Sequence, residues 1–189
     1  METISKTAYL ELIIGPMFSG KTSKLIEVYK QCKFCNIPVS IINHSLDNRY
    51  HDTMLSSHDN IMAPCLKANT LNDIWNKDNR ESILSESDVI LINEGQFFQD
   101  LYEVVVDMLK YNKKIYICGL DGDFERKRFG TILDLIPLCD KVTKLTSLCS
   151  QCKDGTAGIF SMRLTNEKMQ TLVGSNNYIP VCRKCYEKV

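Results

Sequence analysis

The chain has 189 residues, 44% of them hydrophobic, which suits one core of ordinary size with a small appendage. Lys plus Arg and Asp plus Glu both total 23, so the formal net charge is zero and nothing in the balance steers the whole protein toward nucleic acid or a membrane surface. Residues 1–9 lack the basic-then-apolar pattern of a secretory signal, and no apolar run approaches the roughly 20 residues of a membrane span, so the chain reads as soluble and cytoplasmic.

Tyr9 to Ile14 is apolar and β-branched at its end, and predicts a strand. The next eight residues, Gly15-Pro16-Met17-Phe18-Ser19-Gly20-Lys21-Thr22, fit G-x-x-x-x-G-K-[ST]. Glycines let backbone N–H groups converge on phosphate oxygens, and the N-terminus of the following helix adds partial positive charge. Lys21 would reach the β- and γ-phosphates of a nucleoside triphosphate, and the Thr22 hydroxyl would ligate magnesium. From Lys21 to about Phe34 apolar residues recur at helical steps (Leu25, Val28, Tyr29, Cys32), and Asn36 and Pro38 end the helix. Val39 to Ile42 reads as a second strand. Asn43 to Met62 is polar and holds His44, His51 and His58, and reads as a long loop with surface histidines.

Thr70 to Leu84 reads as helix, Asp88 to Ile92 as a buried strand, Leu101 to Tyr111 as helix and Lys114 to Cys118 as strand. Gly119 to Gly130 is a basic and aromatic loop that would suit a lid over phosphates, and Val142 to Leu145 is a last strand. Short apolar strands alternating with helices predict an α/β fold, a parallel sheet covered on both faces. Asn93 and Glu94 emerge at the C-terminal end of their strand, where such sheets bind ligands. Glu94 is therefore the candidate general base, removing a proton from an attacking hydroxyl.

Composition changes near Leu148, dividing the chain into a phosphate-loop domain, 1–147, and a small second domain, 148–189. Of the nine cysteines, four form Cys149-x-x-Cys152 and Cys182-x-x-Cys185, separated by 29 residues. Two such tight turns complete a tetrahedral site of four thiolates, closed and therefore structural, as expected for zinc. Cys32, Cys35, Cys65, Cys118 and Cys139 read as small apolar residues.

In combination these features resemble the type II thymidine kinases, cellular and viral, which join a phosphate-loop domain to a zinc-bearing lasso. The resemblance runs from about Leu10 to Tyr186 through six blocks in order: GPMFSGKT, LDNRY at 46–50, NEGQFF at 93–98, LDGDFERKRFG at 120–130, KLTSLCSQC at 144–152 and VGSNNYIPVCRKCY at 173–186. It implies transfer of the ATP γ-phosphate to the 5′-hydroxyl of deoxythymidine, with Mg2+ accompanying ATP and no nucleic-acid or membrane partner. Glu94 falls on the family's catalytic base. Asp47, Arg49, Asn93 and Gln96 fall on its phosphate and metal surroundings. Met17, Phe97, Leu120, Phe124 and Phe129 fall on the nucleoside pocket, and Ser161 on a position beside the base. Met169, Gln170, Thr171, Leu172 and Val173, with Tyr178, fall on the lasso that holds the base. The resemblance also implies a homo-oligomer, a tetramer.

The chain departs from the family pattern at Asn93, where Asp is usual. The expectation is an active enzyme with weakened magnesium affinity, Asp47 supplying the missing carboxylate. Residues between Cys152 and Arg163 also number about two more than in the familiar animal enzymes. Two readings compete: a kinase for another nucleoside, and a zinc-ribbon ATPase that binds nucleic acid. The second would want a basic stripe, and Lys153, Arg163, Lys168, Arg183, Lys184 and Lys188 form no concentrated run.

Overall fold

A computed structural model describes residues 7–47, 54–56, 61–75, 86–172 and 174–188. Six parallel strands form the central sheet: β1 (Tyr9–Ile14), β2 (Val39–His44), β5 (Leu66–Ala68), β6 (Val89–Asn93), β7 (Lys114–Gly119) and β8 (Lys141–Lys144). Their order is β5-β2-β6-β7-β1-β8. β7 thus separates the strand that leads into the phosphate loop from the strand that ends at Asn93.

Parallel strands need crossovers, and here helices supply them on opposite faces. Helix α1 (Lys21–Phe34) links β1 to β2, and α2 (Leu101–Lys110) links β6 to β7. Alternation along each strand serves both faces. Leu10, Leu12 and Ile14 of β1, with Ile90 and Ile92 of β6, pack with Leu101, Val104, Val105 and Met108 of α2. Ile13 of β1 and Val89 and Leu91 of β6 pack instead with Leu25, Ile26 and Cys32 of α1. Burial on both sides explains why these strands read as unbroken apolar runs.

The region expected to be a loop, 43–62, contains structure. β2 continues through Asn43 and His44, and β3 (Met54–Ser56) pairs antiparallel with β4 (Met62–Pro64). His44 is not a surface residue. It is 5% exposed, its ring lies 4.7 Å from that of Phe98 and 5.5 Å from that of Phe97, and burial lowers its pKa. His51 and His58 lie outside the described residues. The helix expected at 70–84 is, in its described part, a single 3-10 turn, Leu71–Asp73, capped by Thr70. Ile132–Leu138 forms a 3-10 segment containing Pro137, unforeseen because 3-10 turns leave little periodicity.

After β8 the chain builds two small antiparallel pairs. β9 (Ser147–Leu148) pairs with β10 (Ala157–Gly158), and β11 (Phe160–Arg163) with β12 (Tyr178–Val181), before a short helix α3 (Arg183–Tyr186). Met162, Val181 and the cysteines form their own core, with Phe160, Ile179 and Tyr186 against it.

Candidate active site

The phosphate loop leaves β1 at Gly15, whose φ is +150°. A Cβ there would sit 2.4 Å from the carbonyl oxygen of Leu145, so only glycine lets the β1 and β8 strand ends lie this close. Gly20, at φ +82°, turns the chain into α1, and its carbonyl accepts from the Lys24 N–H. The Lys21 ammonium donates to the Pro16 carbonyl at 2.6 Å and is nearly buried. A lysine folded back over its own loop keeps its charge beside the loop N–H groups, in the lining of a cleft.

The acidic strand end lies opposite. Asn93 closes β6 with 0% exposure, and its Oδ1 accepts from the Thr22 hydroxyl at 3.4 Å. Glu94 follows at φ +55°, in the left-handed region that non-glycine residues rarely occupy. Such a conformation costs on the order of 1–3 kcal/mol and survives where surroundings impose it. Gln96 is one such constraint. It is 1% exposed, donates to Glu94 Oε2 at 2.7 Å and accepts from the Leu120 N–H at 3.0 Å, tying the carboxylate to the next strand end. A Cβ on Gly130, at φ +61°, would meet the Gln96 carbonyl oxygen at 2.2 Å, so the 119–130 loop closes directly over this residue.

One cleft collects most of the expected site residues. Met17 to Thr22, Asp47, Asn93, Glu94 and Gln96 line it at the phosphate-loop end, and Phe97, Leu120, Phe124, Phe129, Ser161, Gln170, Thr171, Leu172 and Tyr178 line the rest. Gly15 and Pro16 form the loop behind that lining. Met169 is 72% exposed and does not line the cleft. Arg49 and Val173 lie outside the described residues. Ser161 Oγ accepts from the Met17 N–H at 2.9 Å, so the longer segment before Arg163 still delivers this side chain to the cleft.

The basic residues of the 119–130 loop, expected to suit a lid over phosphates, are engaged elsewhere. Arg126 stacks on Tyr186, Lys127 pairs with Glu125, and Arg128 pairs with Asp134; none lines the cleft. The residue that organises the lasso is Arg163, which sequence reasoning counted only as surface charge. It is nearly buried. Its guanidinium donates to the carbonyls of Glu167, Met169 and Gln170 and to the Tyr178 hydroxyl, and lies 3.6 Å from the Phe124 ring centroid. Asp123 adds a second tether, accepting from Gln170 Nε2 at 2.7 Å and from the Glu125 and Lys127 N–H groups.

The sulfur atoms of Cys149, Cys152, Cys182 and Cys185 all lie within 4.8 Å of one another. Cys152 Sγ is 3.8 Å from that of Cys182 and 3.4 Å from that of Cys185. A tetrahedral zinc with bonds of about 2.3 Å would space its sulfurs by about 3.8 Å, so the cluster fits that ion. Burial opposes ionisation of Cys149, but backbone hydrogen bonds from Cys152, Cys182 and Gln151 hold its pKa down to about 6. Hydrogen bonds to Cys185, Cys149 and Cys182 push the Cys152 thiol up to about 12.

Residues 8–186 match the family model described as thymidine kinase. The thymidine kinase of Sheeppox virus (strain KS-1) is 40% identical over 179 residues, which is 94% of this chain and 96% of the relative. That of Yaba monkey tumor virus (strain VR587) is 39% identical over 186 residues, 98% of each chain. That of Oryza sativa subsp. japonica is 38% identical over 180 residues, 94% of this chain and 65% of the plant protein. Among solved structures, domain III of the Thermotoga maritima replication initiation protein DnaA overlaps 72% of this chain and 54% of its own at a TM-score of 0.44 and 17% identity, too distant to bear on function. With a match over almost its whole length and relatives covered nearly end to end, the chain belongs to the thymidine kinase family.

Proposed function

We propose that this protein transfers the γ-phosphate of ATP to the 5′-hydroxyl of deoxythymidine. The observation that carries the reading is a single cleft lined at once by the phosphate loop, by Glu94 and by the aromatic and lasso residues. Lys21 and the loop N–H groups hold the β- and γ-phosphates. Met17, Phe97, Leu120, Phe124 and Phe129 wall the flat base, and the backbone of 170–172, with Ser161 and Tyr178, fixes its polar edge. The Glu94 carboxylate takes the 5′-hydroxyl proton as the new O–P bond forms. The bond to the β-phosphate oxygen breaks and ADP leaves.

Thr22, Asn93 and Asp47 offer only oxygen donors, which suits Mg2+, with Arg49 beside them in sequence. Magnesium, when bound with ATP, neutralises charge on the transferring phosphoryl group. The four cysteines hold zinc in a closed site, pinning both ends of the lasso in a unit of residues 148–189 against a phosphate-loop unit of residues 1–147. Cytoplasmic location and a homotetramer follow from family resemblance, and light scattering of the purified protein tests the latter.

Transfer of labelled phosphate from ATP to thymidine, with deoxycytidine and deoxyuridine as competitors, tests the activity. Thymidine should be phosphorylated and should outcompete both. Absence of transfer to any nucleoside, with ATP still bound, overturns the proposal.

A further inference from the structure

The amide of Asn93 belongs to a directed chain of hydrogen bonds that passes through Asn43, a residue outside every recognised motif. Asn43 and Asn93 are register partners on the adjacent parallel strands β2 and β6. Asn93 Nδ2 donates to Asn43 Oδ1 at 2.8 Å, and Asn43 Nδ2 donates to Asp47 Oδ2 at 3.2 Å. Asn93 Oδ1 meanwhile accepts from the Cys118 thiol at 2.9 Å and from the Thr22 hydroxyl at 3.4 Å. Asn43 is as buried as Asn93, at 2% exposure.

An amide presents oxygen on one side and N–H donors on the other, so its orientation must be read from its partners. Here the end of the chain decides. Asp47, as a carboxylate, accepts only, so Asn43 must turn its NH2 toward it. Asn43 then presents its oxygen to position 93, and Asn93 must answer with its own NH2. The Asn93 oxygen is left facing Thr22. Reversing either amide sets two oxygens against each other in a dry site, at the full cost of unmade hydrogen bonds.

We propose that Asn43 is a positioning residue that aims the Asn93 oxygen at the magnesium side of Thr22 and polarises it with the charge of Asp47, an inference that rests on the magnesium assignment above. Successive hydrogen bonds polarise one another, so part of the carboxylate's charge is felt two amides away. The chain also bears on Asn93→Asp, which the loss of a carboxylate by itself predicts should lower the magnesium requirement. A carboxylate at 93 would face the Asn43 oxygen, and turning Asn43 to meet it would face that oxygen toward Asp47. Asn93→Asp alone therefore does not lower the magnesium requirement.

The test titrates Mg2+ against binding of a fluorescent ATP analogue, which needs no turnover, alongside binding of the analogue without metal and thermal melting. Asn43→Leu, similar in size and unable to hydrogen-bond, should raise the half-saturating Mg2+ concentration on the order of tenfold, the equivalent of one hydrogen bond to a charged group. Metal-free binding should not change. Asn43→Asp alone would set a second carboxylate against Asp47, so the rescue is the double variant Asn43→Asp/Asp47→Asn, which keeps an acceptor for Asn93 and a donor–acceptor pair between 43 and 47, and which should stay within about threefold of the parent. If Asn43→Leu does not fold, Asn43→Ala serves, removing both hydrogen bonds without added bulk and leaving Asp47 in place, with a similar increase expected. An unchanged magnesium midpoint in the folded variant, or equal weakening with and without metal, overturns the proposal. So does a tenfold gain from Asn93→Asp alone. Phosphorylation of no nucleoside together with the expected midpoint shifts would instead remove the kinase reading and leave the relay standing.

Discussion

The phosphate-loop side of the cleft is carried by backbone: β1 and β6 end at the same edge of the sheet with β7 between them, and Gly15, Gly20 and the left-handed Glu94 set directions that no side chain could. The acceptor side hangs on side chains, since one guanidinium gathers three lasso carbonyls and four sulfurs close its base. Sheet ladders are cooperative with the global fold, whereas a strap of this kind opens when one knot is cut. Donor-side substitutions should therefore alter chemistry with the fold intact, and acceptor-side substitutions should release the nucleoside while ATP stays bound.

The sharpest test of that contrast is Glu94→Gln. It keeps shape and the Gln96 contact in part but removes the base, and kcat should fall roughly 10^2- to 10^4-fold with melting temperature and ATP affinity unchanged. Equal rates would reject Glu94 as the base. Next comes the metal. Cys182→Ser, or a strong chelator, should cost about a hundredfold or more in kcat/KM for thymidine while fluorescent-nucleotide binding persists. Loss of both binding functions together would show that the strap and the sheet are one cooperative unit. Zinc uptake should also weaken as pH falls, because the thiols must give up their protons to bind the ion.

Arg163→Ala removes charged hydrogen bonds and a ring stack, and should raise KM for thymidine roughly tenfold to a hundredfold. Arg163→Lys cannot reproduce the fork and should recover little of it. The smallest effect is at His44 on the donor side. Its native pKa is lowered by burial below the ordinary 6.5, so the folded state binds fewer protons than the unfolded one. Stability should be fully present above about pH 6.5 and decline as pH falls toward the lowered native value. His44→Gln should flatten that decline in acid melting curves, and an unchanged pH profile would remove His44 as its cause.

Legibility in the sequence divides along the same line. The positions of the loop at 15–22, α1, β6 and Glu94 are readable because strand burial and loop spacing are local properties, and α1 spans the expected residues from Lys21 to Phe34. The cysteine pairs were readable by spacing alone. Arg163 was not, since its role depends on carbonyls four to seven residues ahead folding back upon it. Asn43 was hidden in what looked like the start of a polar loop, because a buried polar strand end carries the same letters as an exposed turn. The three-residue strands β3 and β4 are too short for alternation to register.

The hydrogen bond from the Met17 N–H to Ser161 Oγ crosses from the donor loop to the acceptor strand, between residues 144 positions apart. It works as a ruler. A rigid span of this kind should make an acceptor that already bears a 5′-phosphate a poor competitor of thymidine, and a competition assay with the monophosphate checks it.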